Sequence, residues 1–567
     1  MVERVLERKK DKIEKFEPKV TPVGFSGVIK ERIRGIVDEF RQSEVKTELE
    51  REVGEILADR GESAVPEPLF DLAHKVRDYL DETGQSCESL AKLCDDLLLT
   101  EEEIAVTFAR VSRTRETFEE TVAEIQQEGK VEDFLKKWVV SFEGFGHASV
   151  AEHAVVHLRV DNVSSLAVDW VTDARLGSFT EFSARYQEIP VDYYYTPEPI
   201  EKNPLLRRVY RGAQEGLTET YKTLVSQGVE YLKLERACQI DRLRRQNDDE
   251  NDRSYEGRLT RTAQDYFKNL ASSARLSNVG MTVNARQLEH IITKFLSSGN
   301  EEVERLGTWL KIEGQKIVPT LVKYADRNDY LVASREAQEK FVSTDKDLFT
   351  GFVENGLHNK AFLLDYDRDL ENSFLTAFCY KKSLLCYWDL YEKISQMSYP
   401  QKEKMLQEAF DKLGTHDALV REAEWGSDYK FEFYSDYGLT RELHRHRMNF
   451  YDFKDLTPNF GYYIPPLAQE MEENGFSGTI RIFEEAIKRS EDAYEVVERQ
   501  YPEFAPYLVT RSHIRPALFK MNFRQLFYFG RLRTTPRAHY TARMLVGDAL
   551  LQAKGVHPLI WRHLKAV

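Results

Sequence analysis

Asn284-Ala-Arg286-Gln287-Leu288 and Asn522-Phe-Arg524-Gln525-Leu526 are two versions of one pentad, and their recurrence decides how the chain is read. After the first, Leu288, Ile291, Ile292, Phe295 and Leu296 fall on one helical face. Asn284 and Arg286 therefore stand at or before a helix start, where free backbone N–H groups favour anions. Further upstream, Gly146-His147 precedes Arg175 at nearly the spacing by which Thr415-His416 precedes Arg447. Three landmarks recurring in one order indicate an internal duplication. The interval between the last two landmarks is longer in the first copy. The excess is assigned to Arg236–Arg261, a run rich in Arg, Asp, Asn and Glu that reads as a solvated excursion.

The copies are placed at 96–335 and 345–567. Residues 1–95 read as an N-terminal helical extension, because Ile29, Ile33, Ile36, Val37 and Phe40 recur at helical spacing until Pro66 and Pro68 interrupt the pattern. Within each copy strand and helix patterns mix. Ala154–Val160 and Lys430–Tyr434 alternate as half-buried strands do, and both copies then enter helices. The fold class expected is α/β (α+β), a mixed sheet with helices, repeated in tandem.

At 567 residues the chain has room for about three to four average domains, or two large ones with an appendage. Hydrophobic residues at 41% and charged residues at 31% fit a globular protein, and no apolar run is long enough to span a bilayer. Met1–Lys19 carries no apolar core of a secretory signal, so a cytoplasmic location is expected. The five cysteines form no Cys-x-x-Cys pair and read as reduced thiols. A net charge of -15 makes nucleic acid an unlikely partner, while leaving room for a local basic pocket that grips a phosphate-bearing small molecule.

Two stretches are candidates for such a pocket. Between Arg175 and Tyr186 lie Arg175, Ser178, Thr180, Glu181, Ser183 and Arg185, a set suited to a phosphate and a polar ring edge, or otherwise to an exposed loop. In the second copy Arg441, His444, Arg445, His446 and Arg447 crowd together, and Arg531, Arg533, Arg537 and His539 follow Asn522. Such positive charge needs an anion, a carboxylate or solvent to compensate it. His147 and His153 are spaced unlike the i, i+4 ligands of a helical zinc site, so no metal is expected.

These residues resemble the flavin-dependent thymidylate synthases. That family carries Gly-His-x-Ser-x-x-Glu-His, then Arg-His-Arg, then Ser-x-Asn-Glu-x-Ser-x-Arg-Tyr. The first copy matches at Gly146–His153, Arg175, Ser178, Glu181, Ser183, Arg185 and Tyr186, but has Asp173-Ala174 for Arg-His and Thr180 for Asn. The second keeps Arg445-His446-Arg447, with Leu456-Thr457 and Gly461-Tyr462 loosely in the following stretch. The family's Asn-x-Arg helix start and later Leu-Arg match Asn522, Arg524 and Arg533, whereas Ser297-Ser298 is read as replacing the Leu-Arg of the first copy.

The resemblance implies two tandem domains of this family and an FAD-dependent methyltransferase that converts dUMP to dTMP, with NADPH and methylenetetrahydrofolate as co-substrates. It implies that Ser183, Arg185 and Arg533 serve the nucleotide. His147, Arg175, Ser178, Glu181, Arg445, His446, Arg447 and Asn522 would hold the cofactor. It further implies a homodimer whose four copies imitate the family's tetramer. Because each copy keeps part of the motif, two alternatives stay open: a non-catalytic flavin- or nucleotide-binding protein with a regulatory or scaffolding role, and methylation of another pyrimidine nucleotide.

Overall fold

The computed structural model describes residues 19–25, 99–111, 114–140, 145–182, 190–234, 251–344, 357–426, 428–536 and 538–564. It combines helices with two four-stranded sheets of identical order, β1-β2-β4-β3 and β5-β6-β8-β7. The first contains β1 (Lys19–Phe25), β2 (Val155–Ser164), β3 (Ser178–Glu181) and β4 (Leu276–Asn284). The second contains β5 (Lys360–Tyr366), β6 (Asp428–Asp436), β7 (Phe450–Phe453) and β8 (Ile514–Asn522). The two outer pairings of the first sheet and all three of the second are antiparallel. Among the described residues no helix is long and apolar enough to cross a membrane.

The repeated pentads start helices, as their spacing predicts. Asn284 Oδ1 accepts the Gln287 N–H at 2.8 Å, and Asn522 Oδ1 accepts the Gln525 N–H at 2.9 Å. Each bond satisfies one of the donors that a helix start leaves open. Gln525 Oε1 returns the bond to the Asn522 N–H at 2.9 Å, completing a capping box. After the first cap, Leu288, Ile291, Ile292 and Phe295 are all buried, so the predicted apolar face is the packed face.

The chain folds into two compact units that do not follow its sequence halves. Unit 1 holds the first sheet and residues to Thr344, while unit 2 adds residues 164–175 and 183–276 of the first copy to the whole of 345–567. Inside unit 2, α1 (Ser165–Thr172), α2 (Pro204–Leu232) and α3 (Asp252–Phe267) of the first copy accompany their second-copy companions. Helix α2 shares one core with α3, with residues 463–487 and with Ile514.

Equivalent segments of the two copies pair there with each other. Ser272 bridges Thr510, the Ser273 N–H donates to the Val509 carbonyl at 2.8 Å, and the Arg511 N–H donates to the Ala271 carbonyl at 2.9 Å. Reciprocal bonds between matched residues are the signature of a local two-fold relation. Burying those backbone groups requires both copies, which is why the compact unit crosses the sequence boundary.

Two expectations meet the structure differently. Of the stretch 1–95, only 19–25 are described, and they form a strand, β1, against β2; the remaining residues lie outside the described set. Of Arg236–Arg261, residues 236–250 lie outside the described set, but the end of the run is helix α3 rather than a solvated excursion. Asn251 caps it by accepting the Ser254 N–H, and Leu259, Ala263, Tyr266 and Phe267 recur on its buried face.

Candidate functional site

Hydrogen bonds establish which residues of the two copies correspond. Ser164 Oγ accepts the Ala167 N–H at the start of α1, and Asp436 Oδ1 accepts the Leu439 N–H at the start of α4 (Tyr437–Leu443). The next residues, Ser165 and Tyr437, donate their N–H groups to the carbonyls of Arg275 and His513, each at 2.8 Å. In the sheets, Ser178 faces Thr282 as Phe450 faces Lys520. Arg286 pairs with Glu152 as Arg524 pairs with Glu424.

This register corrects two assignments. Because Glu424 is the mate of Glu152, the residue standing where His147 stands is Leu419, which is buried, and not the exposed His416. A small difference in loop length brings His416 near the matching position in sequence but not in the fold. Because the two caps correspond, the mate of Arg533 is Phe295, fully buried, and not Ser297-Ser298.

The Arg445-His446-Arg447 corner follows the end of α4. Arg445 is exposed, while His446 and Arg447 are half-buried. Helix α5 (Phe523–Arg533) sends Arg533 back to this corner: Nε donates to His446 Nε2 at 2.9 Å, Nη1 to Glu442 Oε2 at 3.0 Å, and Nη2 to the Glu442 carbonyl at 3.0 Å. Phe529 meets the His446 ring edge-on at 4.6 Å. Burial, reinforced by the Arg533 charge, pushes the His446 imidazole down to about 3. His446 is therefore neutral near pH 7, and because Nε2 accepts from a guanidinium the proton belongs on Nδ1. The corner offers a fixed, uncharged imidazole donor between two guanidinium groups.

A buried ionic knot holds α1 of the first copy to α4 of the second, inside unit 2. Tyr437 donates its hydroxyl to Asp169 Oδ2 at 2.8 Å, and Arg441 Nη1 lies 3.3 Å from Asp169 Oδ1 while also donating to the Ser165 carbonyl at 2.8 Å. Arg515 adds a longer contact to Asp169 at 4.0 Å and lies over the Phe453 ring at 5.1 Å. Asp169 and Arg441 are mates in the two copies, so the duplication has converted a self-facing position into a complementary charge pair. Such a pair holds its geometry because removing either partner leaves a buried charge uncompensated.

The knot carries the end of α1 to the basic corner. Tyr451, stacked on the buried His444 at 5.1 Å, has its hydroxyl pushed up by burial and by neighbouring Asp173, with Arg175 and Arg447 acting in the opposite sense. Asp173 and Arg175 of the first copy thus act electrostatically on the same phenol as Arg447 of the second. Asp169, Tyr437 and Tyr451 are not expected from sequence, since their importance lies in contacts between distant stretches.

Unit 1 places the other first-copy residues. His147 is exposed and stacks with Trp138 and Phe145, each at 6.3 Å. His153 stacks on Phe108 at 4.7 Å, which fits a packing role. Ser178 is exposed on β3, and half-buried Glu181 accepts the Ser277 hydroxyl at 3.3 Å. Ser183, Arg185 and Tyr186 lie outside the described residues. Among the described residues no cluster of three or more His, Cys, Asp or Glu is arranged to hold a metal.

The family model described as thymidylate synthase complementing protein matches residues 93–320 and again 363–559. The chain belongs to that family. Its two matched segments contain both sheets apart from strand β1 and part of β5. Among relatives of the family, a UPF0159 protein of Chlamydia muridarum is 25% identical over 454 residues, covering 77% of this chain and 81% of the relative. A flavin-dependent thymidylate synthase of Saccharolobus solfataricus is 23% identical over 257 residues, 44% of this chain and 82% of the relative. A solved flavin-dependent thymidylate synthase from Helicobacter pylori, complexed with FAD and dUMP, is 14% identical with a TM-score of 0.26. The match covers 35% of this chain and 97% of that one.

Proposed function

We propose that this family member is a flavin-dependent thymidylate synthase that methylates dUMP to dTMP at a centre built from both copies. The observation that carries the reading is the second-copy corner in which Arg533 anchors His446 and Glu442, at the end of a helix that the buried Asp169–Arg441 pair holds to the first copy. A preorganised guanidinium cluster with a neutral imidazole donor suits an anionic, planar ligand.

The donor set fits FAD. Arg445, His446 and Arg447, with Arg175, would hold its phosphates or ring edge. Asn522 would contribute through its amide NH2, since its oxygen caps α5. When bound, FAD supplies reducing equivalents, with NADPH and methylenetetrahydrofolate as co-substrates. Ser183 and Arg185 would bind dUMP, where donors to the pyrimidine oxygens stabilise the negative charge that develops as C5 takes up a carbon. Arg533 would act on the nucleotide side or, by the bonds it makes, position His446. Two chains would bring four copies together.

Tritium release from C5-labelled dUMP tests the reading, with FAD, NADPH and methylenetetrahydrofolate supplied. Release proportional to protein concentration is expected; none at any concentration would overturn it. A second reading, a flavin-binding protein without turnover, is favoured by Asp173-Ala174 replacing Arg-His and by the apolar mates Leu419 and Phe295. A yellow protein that releases no tritium would select it.

A further inference from the structure

Glu442, Arg533 and His446 form a chain of bonds that lies wholly within unit 2. Arg533, in the last turn of α5, stands one turn beyond Phe529, so both reach the His446 ring from one helix face. Of its several N–H groups, Arg533 engages three within the corner: Nε to His446 Nε2, Nη1 to the Glu442 carboxylate and Nη2 to the Glu442 carbonyl. Glu442 therefore grips Arg533 twice, by its side chain and by a backbone oxygen at the negative end of α4. The ion pair is shielded, with side-chain exposures of 16% for Arg533 and 20% for Glu442.

The three partners are absent together from the first copy. The segment from the cap of α1 to β3 runs in step with the segment from the cap of α4 to β7. Glu442 thus corresponds to Trp170 and His446 to Ala174, while Arg533 corresponds to Phe295. Neither Ala174 nor Phe295 offers a polar side chain.

A neutral imidazole has two tautomers. A proton on Nε2 would leave Nδ1 an acceptor, which repels a phosphate or a carbonyl edge. The Arg533 Nε–H can only donate, so it holds Nε2 as the acceptor and leaves the proton on Nδ1. A long arginine side chain does this only when its own position is fixed.

We infer that Glu442 is a positioning residue: it fixes Arg533 and, through Arg533, fixes His446 as an Nδ1–H donor toward the bound cofactor. This rests on the reading above that FAD occupies the corner. It assigns Arg533 to the imidazole rather than to the nucleotide.

The tests use the full-length protein. The tautomer is read without ligand from the nitrogen-15 signals of histidine-labelled protein, with those of His446 isolated by difference from His446→Gln. FAD affinity is read by fluorescence titration, and dUMP affinity by calorimetry on the FAD-loaded protein. The wild type is expected to show only the Nδ1–H tautomer. Glu442→Ala is expected to show both tautomers and to bind FAD about fivefold more weakly, the worth of one hydrogen bond, with dUMP affinity unchanged. Glu442→Gln, which still accepts from Nη1, is expected to restore both readouts. Should Glu442→Ala not fold, Arg533→Met is expected to show the same mixed tautomers. A single Nδ1–H tautomer in either variant, mixed tautomers with FAD affinity intact, or a matching loss of dUMP affinity would overturn the positioning role and leave the flavin reading standing. A wild type that takes up no FAD would remove that reading and the inference with it.

Discussion

His446 shows how one side chain is tuned by its surroundings rather than by its own chemistry. Burial and the Arg533 charge favour the neutral ring, so its folded value lies below its unfolded value near 6.5. The unfolded chain then binds the proton more readily, and the contribution to stability is lost as pH falls below about 6.5. Between pH 6.5 and 5 this amounts to about 2 kcal/mol, taking 1.4 kcal/mol per pH unit. Asp436, whose carboxyl is lifted to about 7 by burial, acts in the opposite sense over the same range, losing its contribution as pH rises. The wild-type curve therefore mixes both, and the informative quantity is the difference between wild type and His446→Gln. Urea denaturation at pH 7 and pH 5 is expected to show a smaller acid loss in the variant. Equal acid losses would mean that His446 is not held neutral. The triplet Arg445-His446-Arg447 was visible in sequence through its family resemblance, but its anchor was not, because Glu442 and Arg533 are far apart along the chain and meet only when α5 returns.

Elements were legible where a local signal is strong. The caps at Asn284 and Asn522 followed from the pentad, and the apolar face after Asn284 from its spacing. Strands β2 and β6 were marked by alternation, since each buries one face. The four-residue strands β3 and β7 were not, because too few residues alternate and β3 lies in a polar cluster whose composition resembles a loop. Helix α3 was hidden by charged residues between its buried positions. The caps make a direct prediction: Asn522→Ala is expected to cost about 1 kcal/mol in chemical denaturation, while Asn522→Ser keeps most of the stability. An unchanged midpoint in the alanine variant would show that the capping box contributes nothing.

At the scale of the whole molecule, the duplication was legible but its packing was not. Sequence places a boundary between copies, whereas the pairing of residues 269–274 with 507–512 draws a large part of the first copy into the second unit. That pairing depends on matched residues meeting across a local two-fold, and so does the Asp169–Arg441 knot. The mate of His147 was misplaced for a related reason: similarity of residue type pointed to His416, and only the Glu–Arg pair of each copy reveals Leu419. The picture we propose is two unequal copies that contribute different pieces to one centre. Tritium release by Arg185→Ala and by Arg447→Ala, one change in each copy, tests it most directly. Each substitution alone is expected to reduce turnover to the background of the assay, because one centre uses both; retention of about half the wild-type rate by either would show that the copies work independently.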